Sequence, residues 1–429
     1  MDFSDKSCMV IAHPLFLELA VRLARDFGKV YFWNPGADAT FPTMQQGEVG
    51  RGMEGVEIVH SWAGAHFDEA DLVLFPDLYQ GDLQVRFENM GKRVWGARNG
   101  ENLEIYRGDC KKLMEAEGLP VQPWATLRGM KALRAHLKAH KDQHVKIDRY
   151  RGNFETFFAQ DYDLVLPKLD EIAHNLGPLQ EVAEFLVEDD LPDRVEIGLD
   201  TYCIDGEYPE HTLTGIEVKD LGYVGEFLKW SDIPEPLTRF TTRMAKHFAA
   251  AGYRGFMSNE IRIGADKEPY MIDLCARAGS PPNELYQEFY KNLSEIIWEG
   301  AGGVLVDPAP IAKFGVQVIG KSSWAEANPQ PIEIAPEWRR NVKLYNPVCI
   351  DGKFCVLPQE DNMAECLSVV GWGDTIEAAL DMVKEASEGV RAYGLKIPLG
   401  SADEAIEQMG KMAEIGLPVF SVDSKGKDT

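Results

Sequence analysis

Short apolar runs alternate with helical patterns over the first hundred residues, and this alternation limits the fold more than any other feature of the chain. Runs of strand length and segments of helical periodicity follow one another at residues 8–12, 15–27, 30–33, 71–75, 81–90 and 93–95. Strands that are connected through helices lie parallel in one sheet, because the helix returns the chain to the starting edge. Residues 1–105 are therefore predicted to form an α/β domain with a parallel sheet.

The remainder of the chain favours an α+β architecture in two parts. A predicted helix at 109–117 ends before Gly118 and Pro120, two residues that commonly stop a helix. After that helix, apolar runs predict strands at residues 145–147, 164–168, 182–187 and 195–204. We assign residues 106–307 to a central domain and residues 308–429 to a C-terminal α+β domain.

Acidic side chains outnumber basic ones, with 69 Asp and Glu against 44 Lys and Arg in 429 residues, and the formal net charge is −25. Such a field opposes non-specific binding to nucleic acids. No apolar run approaches the length of about 20 residues that crosses a bilayer, and the N-terminus lacks a signal-peptide pattern. The seven cysteines include no C-x-x-C pair, which argues against disulfides or structural zinc. We expect a cytoplasmic protein that binds neither membranes nor non-specific nucleic acid.

Two acidic residues on neighbouring predicted strands form the clearest chemical pattern. Glu260 lies in the run 255–263 and Asp273 in the run 270–275, with a turn of hairpin length between the runs. Antiparallel pairing would bring the two carboxylates side by side on one face. Like charges at that distance repel unless a cation lies between them, and Mg²⁺ prefers carboxylate and phosphate oxygens. The pattern predicts a magnesium–nucleotide site, with two solvated surface acids as an equal alternative.

A lysine inside a predicted strand, Lys146, is the second candidate. An inward-facing ammonium group requires an anionic partner, which a nucleotide phosphate would supply; a salt bridge at a sheet edge is the ordinary alternative. The polar loop that follows, residues 148–156, contains Arg149, Arg151 and one glycine. A loop of this composition is suited to close over phosphates.

The order of these features along the chain resembles that of the ATP-grasp superfamily over most of the length. The resemblance implies an ATP-grasp fold with an N-terminal parallel α/β (pre-ATP-grasp) domain, and a lid over ATP formed by about residues 124–186. Lys146 matches the lid lysine that contacts the α- and β-phosphates. Arg107 stands where the superfamily usually has another nucleotide-binding lysine.

The resemblance also implies how the nucleoside is held. Glu184, Phe185 and Leu186 match the hinge that presents backbone groups to adenine. Glu196 falls near the acid that binds the ribose hydroxyls. Both assignments come from the family pattern alone.

The most specific match is the metal motif. Glu260 and Asp273 fall on the two magnesium acids of the superfamily, and Arg277 falls on the arginine that stabilises the acyl phosphate or the tetrahedral species. Where the superfamily has asparagine, this chain has Cys275, and a thiol is a poor ligand for magnesium. The Ala276-Arg277-x-Gly279 tail and the segment 373–379 resemble glycinamide ribonucleotide synthetases, of which the chain is read as a divergent relative with a different substrate.

The resemblance implies an ATP-dependent ligase that joins a small-molecule carboxylate to an amine through an acyl phosphate, with ATP and Mg²⁺, and releases ADP and phosphate. Substrate contacts are expected from Lys219 and Asp220 and from the lid-loop residues Arg149 and Arg151. Two further hypotheses are a catalytically silent ATP-binding regulator and a ligase with a nucleotide or nucleic-acid-linked acceptor. Phosphoribosylamine–glycine ligase activity itself is a minor alternative.

Overall fold

The computed structural model describes residues 1–38, 48–149, 156–359 and 363–421, and its N-terminal part is built around a five-stranded sheet. The strands are β1 (Phe3–Ile11), β2 (Phe27–Trp33), β3 (Val56–Ile58), β4 (Leu72–Leu74) and β5 (Arg93–Trp95), and the helices are α1 (Leu17–Leu23), α2 (Ala65–Glu69) and α3 (Gly81–Asn89). All four pairings in the order β3-β2-β1-β4-β5 are parallel. The predicted parallel sheet is confirmed.

Strand β1 shows why the alternation of strands and helices could be predicted from the sequence. Its last five residues are buried. Cys8 and Val10 belong to one apolar cluster and Met9 and Ile11 to another, so both faces of the strand are covered. A strand buried on both faces reads as an unbroken apolar run. Helix α1 is shorter than its pattern predicts, since β2 already begins at Phe27.

The lid is a four-stranded antiparallel sheet with two helices. Two short helices precede it, α4 (Asn102–Ile105) and α5 (Arg107–Ala116). The lid comprises β6 (Trp124–Arg128), α6 (Met130–Ala139), β7 (Gln143–Ile147), β8 (Thr156–Ala159), α7 (Tyr162–Leu176) and β9 (Glu184–Asp189). The sheet order is β6-β9-β7-β8, so β9 lies inside the sheet with a neighbour on each side.

One strand predicted for the lid is wrong, because residues 164–168 belong to helix α7. The side chain of Asp161 caps this helix by accepting a hydrogen bond from the backbone N–H of Asp163. Val165 and Leu169 are buried at helical spacing, whereas Leu164 between the cap and these residues is exposed. A five-residue apolar run cannot by itself distinguish a strand from one turn of a buried helix.

The rest of the chain forms two more sheets. Its elements are β10 (Val195–Ile204), β11 (His211–Val218), β12 (Gly222–Lys229), α8 (Glu235–Ala250), β13 (Arg254–Ile263), β14 (Pro269–Cys275), α9 (Asn283–Phe289), α10 (Leu293–Ala301), β15 (Phe314–Lys321), β16 (Gln330–Ile334), β17 (Val342–Leu344), β18 (Pro347–Ile350), β19 (Lys353–Val356), β20 (Glu365–Gly373), α11 (Ile376–Glu388), β21 (Val390–Ala392) and α12 (Ser401–Glu414). The small sheet has the order β18-β19-β16-β21. No helix among these described ranges, or in the described remainder of the chain, is long and apolar enough to span a membrane.

The main sheet has eight strands in the order β14-β13-β10-β11-β12-β15-β20-β17. Strands from residues 195–275 and from residues 314–373 therefore share one sheet, joined where β12 pairs with β15. Alternate residues of β10 separate two faces. Ile197 and Leu199 belong to an apolar core that also contains Met409 of α12, whereas the opposite face carries Glu196 and Asp200.

A buried ion network ties three segments of the chain together. The carboxylate of Glu288 in α9 lies 2.7 Å from Nη1 of Arg25, 2.7 Å from Nη2 of Arg340 and 2.7 Å from Nζ of Lys343. The side chains of Glu288 and Lys343 are completely buried. Burial alone would raise the pKa of Glu288, but the charges of Lys343 and Arg25 outweigh it and lower the pKa to about 2.

Candidate active site

A cleft of about 800 Å³ separates the lid from the main sheet. This volume lies within the usual range of small-molecule and cofactor sites. Of the residues predicted from the sequence, those that line the cleft are Lys146, Glu196, Lys219, Glu260, Asp273 and Arg277. Helix α12 contributes Glu404 and Gln408, so the last helix reaches the cleft as well.

The floor of the cleft carries the two acids of the predicted hairpin. Glu260 of β13 is the antiparallel partner of Asp273 of β14, and the register shifts immediately after Glu260. Burial and the carboxylates of Glu217 and Asp273 raise the pKa of Glu260 well above its ordinary value. The arrangement holds negative charges close together on one face, and a cation between them would relieve the repulsion.

Lys146 of the lid reaches across the cleft to the main sheet. Its Nζ donates a hydrogen bond to the backbone oxygen of Ile272 at 2.5 Å and lies 3.6 Å from Glu188 and 3.8 Å from Asp273. Burial alone would lower the pKa of Lys146, but the carboxylates of Asp273 and Glu188 outweigh it and raise the pKa. The ammonium group is therefore charged and lies beside one of the two paired acids.

A second buried lysine, Lys111 of α5, accompanies Lys146. Its Nζ lies 2.6 Å from Oε1 of Glu188 and donates to the backbone oxygen of Met271 at 3.0 Å. Gln122 donates a further hydrogen bond of 2.7 Å to the same Glu188 oxygen. Glu188 thus contacts both lysines, Lys111 and Lys146. The sequence analysis missed Lys111, although its spacing of four residues from Arg107 places both on one helical face.

Arg277 follows β14 and is held by an acid from the N-terminal side of the cleft. Its Nε donates to Oε1 of Glu104 at 3.1 Å, and its Nη1 donates to the backbone oxygen of Ala278 at 3.0 Å. Burial alone would lower the pKa of Arg277, but the carboxylate of Glu104 outweighs it and raises the pKa. The guanidinium group is fixed in place and permanently charged.

The architecture matches solved enzymes over nearly the whole chain. Phosphoribosylamine–glycine ligase from Thermotoga maritima superposes with a TM-score of 0.69 at 16% identity, over 91% of this chain and 98% of that chain. The biotin carboxylase domain of 2-oxoglutarate carboxylase from Hydrogenobacter thermophilus, solved with MgADP, ADP and bicarbonate, gives 0.65 at 11% identity over 96% and 98%. Biotin carboxylase from Campylobacter jejuni gives 0.63 at 16% identity over 92% and 94%.

The chain has the ATP-grasp fold. No protein-family model matches the sequence, and neither does any curated protein. The likeness is therefore one of structure, at sequence identities of 11% to 16%.

The three residues predicted for the adenine hinge lie within strand β9 of the lid. Glu184, Phe185 and Leu186 pair with β6 on one side, and Phe185 and Leu186 also pair with β7 on the other, while their side chains lie outside the described lining of the cleft. The Phe185 side chain is fully buried in the lid core. The residues of this strand and its exit that line the cleft are instead Glu188, Asp189, Asp190, Leu191 and Pro192.

Glu196 lines the cleft, whereas Arg107 lines a separate small cavity beside it. Glu196 accepts a hydrogen bond of 2.9 Å from Nε of Arg262, whose Nη1 donates to Asp190 at 3.2 Å. Arg107 is buried and lines a small cavity of about 20 Å³ that also contacts Lys146 and Leu186. Its Nη1 donates to the backbone oxygen of Ile147 at 3.0 Å.

Four residues were predicted to contact substrates, and the structure separates them. Lys219 lines the cleft, whereas its neighbour Asp220 is exposed and lies outside the described lining. Arg149 packs over the ring of Tyr106, with its guanidinium carbon 5.1 Å from the ring centre, and is likewise outside that lining. Arg151 lies outside the described residues.

The main sheet brings further polar residues to the cleft floor that the sequence analysis did not identify. Asp200 accepts hydrogen bonds of 2.6 Å from Tyr223 and 2.6 Å from Ser258. Glu217 of β11 lies beside them. Strand alternation was the available signal, because Ser258 is two residues from Glu260 and therefore shares its face. Without the strand order, the sequence could not show that β10, β11 and β12 adjoin this hairpin.

The residues present fit a magnesium-bound nucleotide. Two facing carboxylates offer hard oxygen ligands for a divalent cation, and their mutual repulsion is relieved by that cation. Lys146 and Lys111 supply positive charge near the same end of the cleft. Burial raises the pKa of the Cys275 thiol well above its ordinary value. This side chain therefore remains neutral and is a poor ligand for magnesium.

Proposed function

We propose that this protein is an ATP-dependent carboxylate–amine ligase with a divergent substrate. The observation that carries the proposal is the facing pair Glu260 and Asp273 beneath a lid lysine, Lys146, in an ATP-grasp cleft. The geometry supports a nucleotide whose phosphates lie between the lid and the main sheet. ATP and Mg²⁺ are the proposed cofactors, and a small carboxylate and an amine are the proposed substrates.

Each group of residues has a proposed task. Glu260 and Asp273 would hold Mg²⁺, which would supply positive charge to neutralise the phosphates. Lys146 and Lys111 would neutralise phosphate oxygens, with Arg107 on the same side. Glu188–Pro192 rather than Glu184–Leu186 would border the adenine, and Glu196 the ribose.

The proposed reaction has two displacement steps. A carboxylate oxygen attacks the γ-phosphorus of ATP, the bond from phosphorus to ADP breaks, and an acyl phosphate forms. The amine nitrogen then attacks the acyl carbon, the bond to phosphate breaks, and the nitrogen loses one proton. The products are an amide, ADP and phosphate. Arg277, fixed by Glu104, would stabilise the negative charge that develops in both steps.

A catalytically silent ATP-binding regulator is the second candidate. It is favoured by Cys275, which lines the cleft two residues after Asp273. At this position the ATP-grasp pattern has an asparagine, and this chain has a neutral thiol instead. Such a protein would bind MgATP without releasing ADP in the presence of any acceptor.

Calorimetric titration with MgATP, followed by an assay of ADP release with paired carboxylates and amines, tests the proposal. Glu260→Gln and Asp273→Asn should abolish magnesium-dependent nucleotide binding. Glu268→Gln is the matched control, because this exposed acid lies on the turn of the same hairpin. If either cleft variant binds MgATP as the wild type does, the metal assignment is refuted. Binding without ADP release across the screen would favour the regulator.

A further inference from the structure

A lysine of the lid lies beside the acid pair, Glu260 and Asp273, to which Mg²⁺ is assigned. The Nζ atom of Lys146 is 3.8 Å from Oδ1 of Asp273, and this residue faces Glu260 across the pairing of β13 with β14. The lysine side chain is only 8% exposed. Opposite charges at this distance attract each other much more strongly in a buried site than in water. Lys146 is therefore an internal counter-ion of the acid pair.

The contacts of Lys146 allow it to change partner. Its Nζ lies 3.6 Å from Glu188 and 3.8 Å from Asp273, and both distances exceed the length of a charge-assisted hydrogen bond. The hydrogen bond that it donates to the backbone oxygen of Ile272 has a neutral acceptor. A phosphate oxygen would offer the ammonium group a charged acceptor at closer range. Lys146 can therefore leave Asp273 when a phosphate comes within reach.

The neighbouring Lys111 is held more closely than Lys146. Its Nζ lies 2.6 Å from Oε1 of Glu188, and Gln122 donates a hydrogen bond of 2.7 Å to the same oxygen. A buried carboxylate that loses its only partner is strongly destabilising. Glu188 keeps Lys111 and Gln122 when Lys146 moves, so the move leaves no buried charge without a partner.

Lys146 and a divalent cation compete for the same carboxylate. If Mg²⁺ bound to Asp273 while Lys146 stayed in place, an ammonium group and a doubly charged ion would lie within a few ångströms of each other and would repel. The triphosphate of ATP relieves this conflict, because its oxygens can accept from the lysine and also serve as ligands of the metal. The nucleotide thus removes the competitor and completes the metal site.

We propose that Lys146 excludes free Mg²⁺ from Glu260 and Asp273 and releases this acid pair only to a complex of metal and nucleotide. The inference rests on the proposed function for the nature of the nucleotide and adds an order of binding to it. Metal and nucleotide would bind cooperatively, and each would raise the affinity of the other by the same factor.

Titration of the full chain with Mn²⁺, with the free ion measured by electron paramagnetic resonance, tests the exclusion. Mn²⁺ prefers the same carboxylate oxygens as Mg²⁺. Without nucleotide, Lys146→Met and Lys146→Gln should each bind Mn²⁺ at least about 10-fold more tightly than the wild type, because each removes one repelling charge beside the site. Lys146→Arg keeps that charge and should bind Mn²⁺ as weakly as the wild type. Lys131→Met, at an exposed lysine of α6, is the matched control and should change nothing.

A second substitution shows whether the added affinity belongs to the acid pair. In Lys146→Met combined with Asp273→Asn, the affinity for Mn²⁺ should return to the wild-type value or fall below it. The inference is overturned if neither neutral variant binds Mn²⁺ more tightly than the wild type, if Lys146→Arg gains as much as Lys146→Met, or if the gain survives Asp273→Asn. Circular dichroism confirms that each variant is folded.

The Mn²⁺ titrations contain no nucleotide, so they are independent of the proposed reaction. Binding of the magnesium complex of β,γ-imido-ATP is measured separately by calorimetry. If the wild type does not bind this complex while the neutral variants gain affinity for Mn²⁺, the proposed function is refuted and the exclusion of the free metal stands. If the wild type binds the complex and the neutral variants gain nothing, the exclusion is refuted and the proposed function stands.

Discussion

Removal of the charge of Glu288 tests whether the buried ion network holds the three segments of the chain together. In Glu288→Gln, the ammonium group of Lys343 stays buried but loses a carboxylate at 2.7 Å. An uncompensated buried charge of this kind costs about 3 to 5 kcal/mol. The pKa of Glu288 gives a second value for the free energy that this network contributes, because its fall from 4.5 to about 2 corresponds to about 3 kcal/mol.

The sign of the pH dependence follows from the direction of that shift. A carboxyl group whose pKa is lowered by folding stabilises the protein above its unfolded pKa and loses this contribution as the pH falls through the folded value. The free energy of unfolding of the wild type should therefore lose about 3 kcal/mol from this group between about pH 5 and pH 2. The free energy of unfolding of Glu288→Gln should be lower than that of the wild type at pH 7 and should not show this decrease at acid pH.

Urea denaturation at pH 7 and at a series of lower pH values measures both effects. Arg340→Gln is the control from the same network, because its side chain is 62% exposed and an exposed partner contributes at most about 1 kcal/mol. If Glu288→Gln unfolds at the wild-type urea concentration, or keeps the wild-type response to acid, the network does not stabilise the fold as argued.

Three further outcomes are expected. Asp200→Asn should be more stable than the wild type by up to about 3 kcal/mol at pH 8, because burial raises the pKa of Asp200 from 3.8 to about 6. The difference should vanish below pH 4. Urea denaturation measures both values, and equal stability of the two proteins at pH 8 would contradict the prediction. Lys146→Met should weaken MgATP about 100-fold by calorimetry through loss of a charge-assisted contact, whereas the exposed Lys131→Met should not. Cys275→Asn should lower the magnesium concentration needed for half-maximal nucleotide binding, and an unchanged requirement would show that position 275 does not contact the metal.

Strands buried on both faces and the acidic hairpin were predictable from the sequence because their signals are local. β1 reads as a continuous apolar run, and the turn between Glu260 and Asp273 fixes which residues pair. The wrong prediction of a strand at residues 164–168 also has a local cause, since one apolar helical turn resembles a short strand.

The rest of the site depends on contacts between distant segments. Lys111 meets Glu188, and Asp200 meets Tyr223, only after the strand order of two sheets is known. A buried charge looks like a surface charge until its partner is found. Glu184 and Glu188 are both acids in one strand, and only the structure shows that Glu188 and the residues after it line the cleft.

The pairing of β12 with β15 has a consequence for synthesis of the protein on the ribosome. When residues 195–275 have emerged, the hairpin acids can already meet, but β12 remains an open edge until residues 314–321 arrive. An unpaired edge strand is a template for intermolecular association. A nascent chain that stalls in this interval would expose that edge, so shortened products of this protein should aggregate rather than accumulate as soluble, partly folded protein.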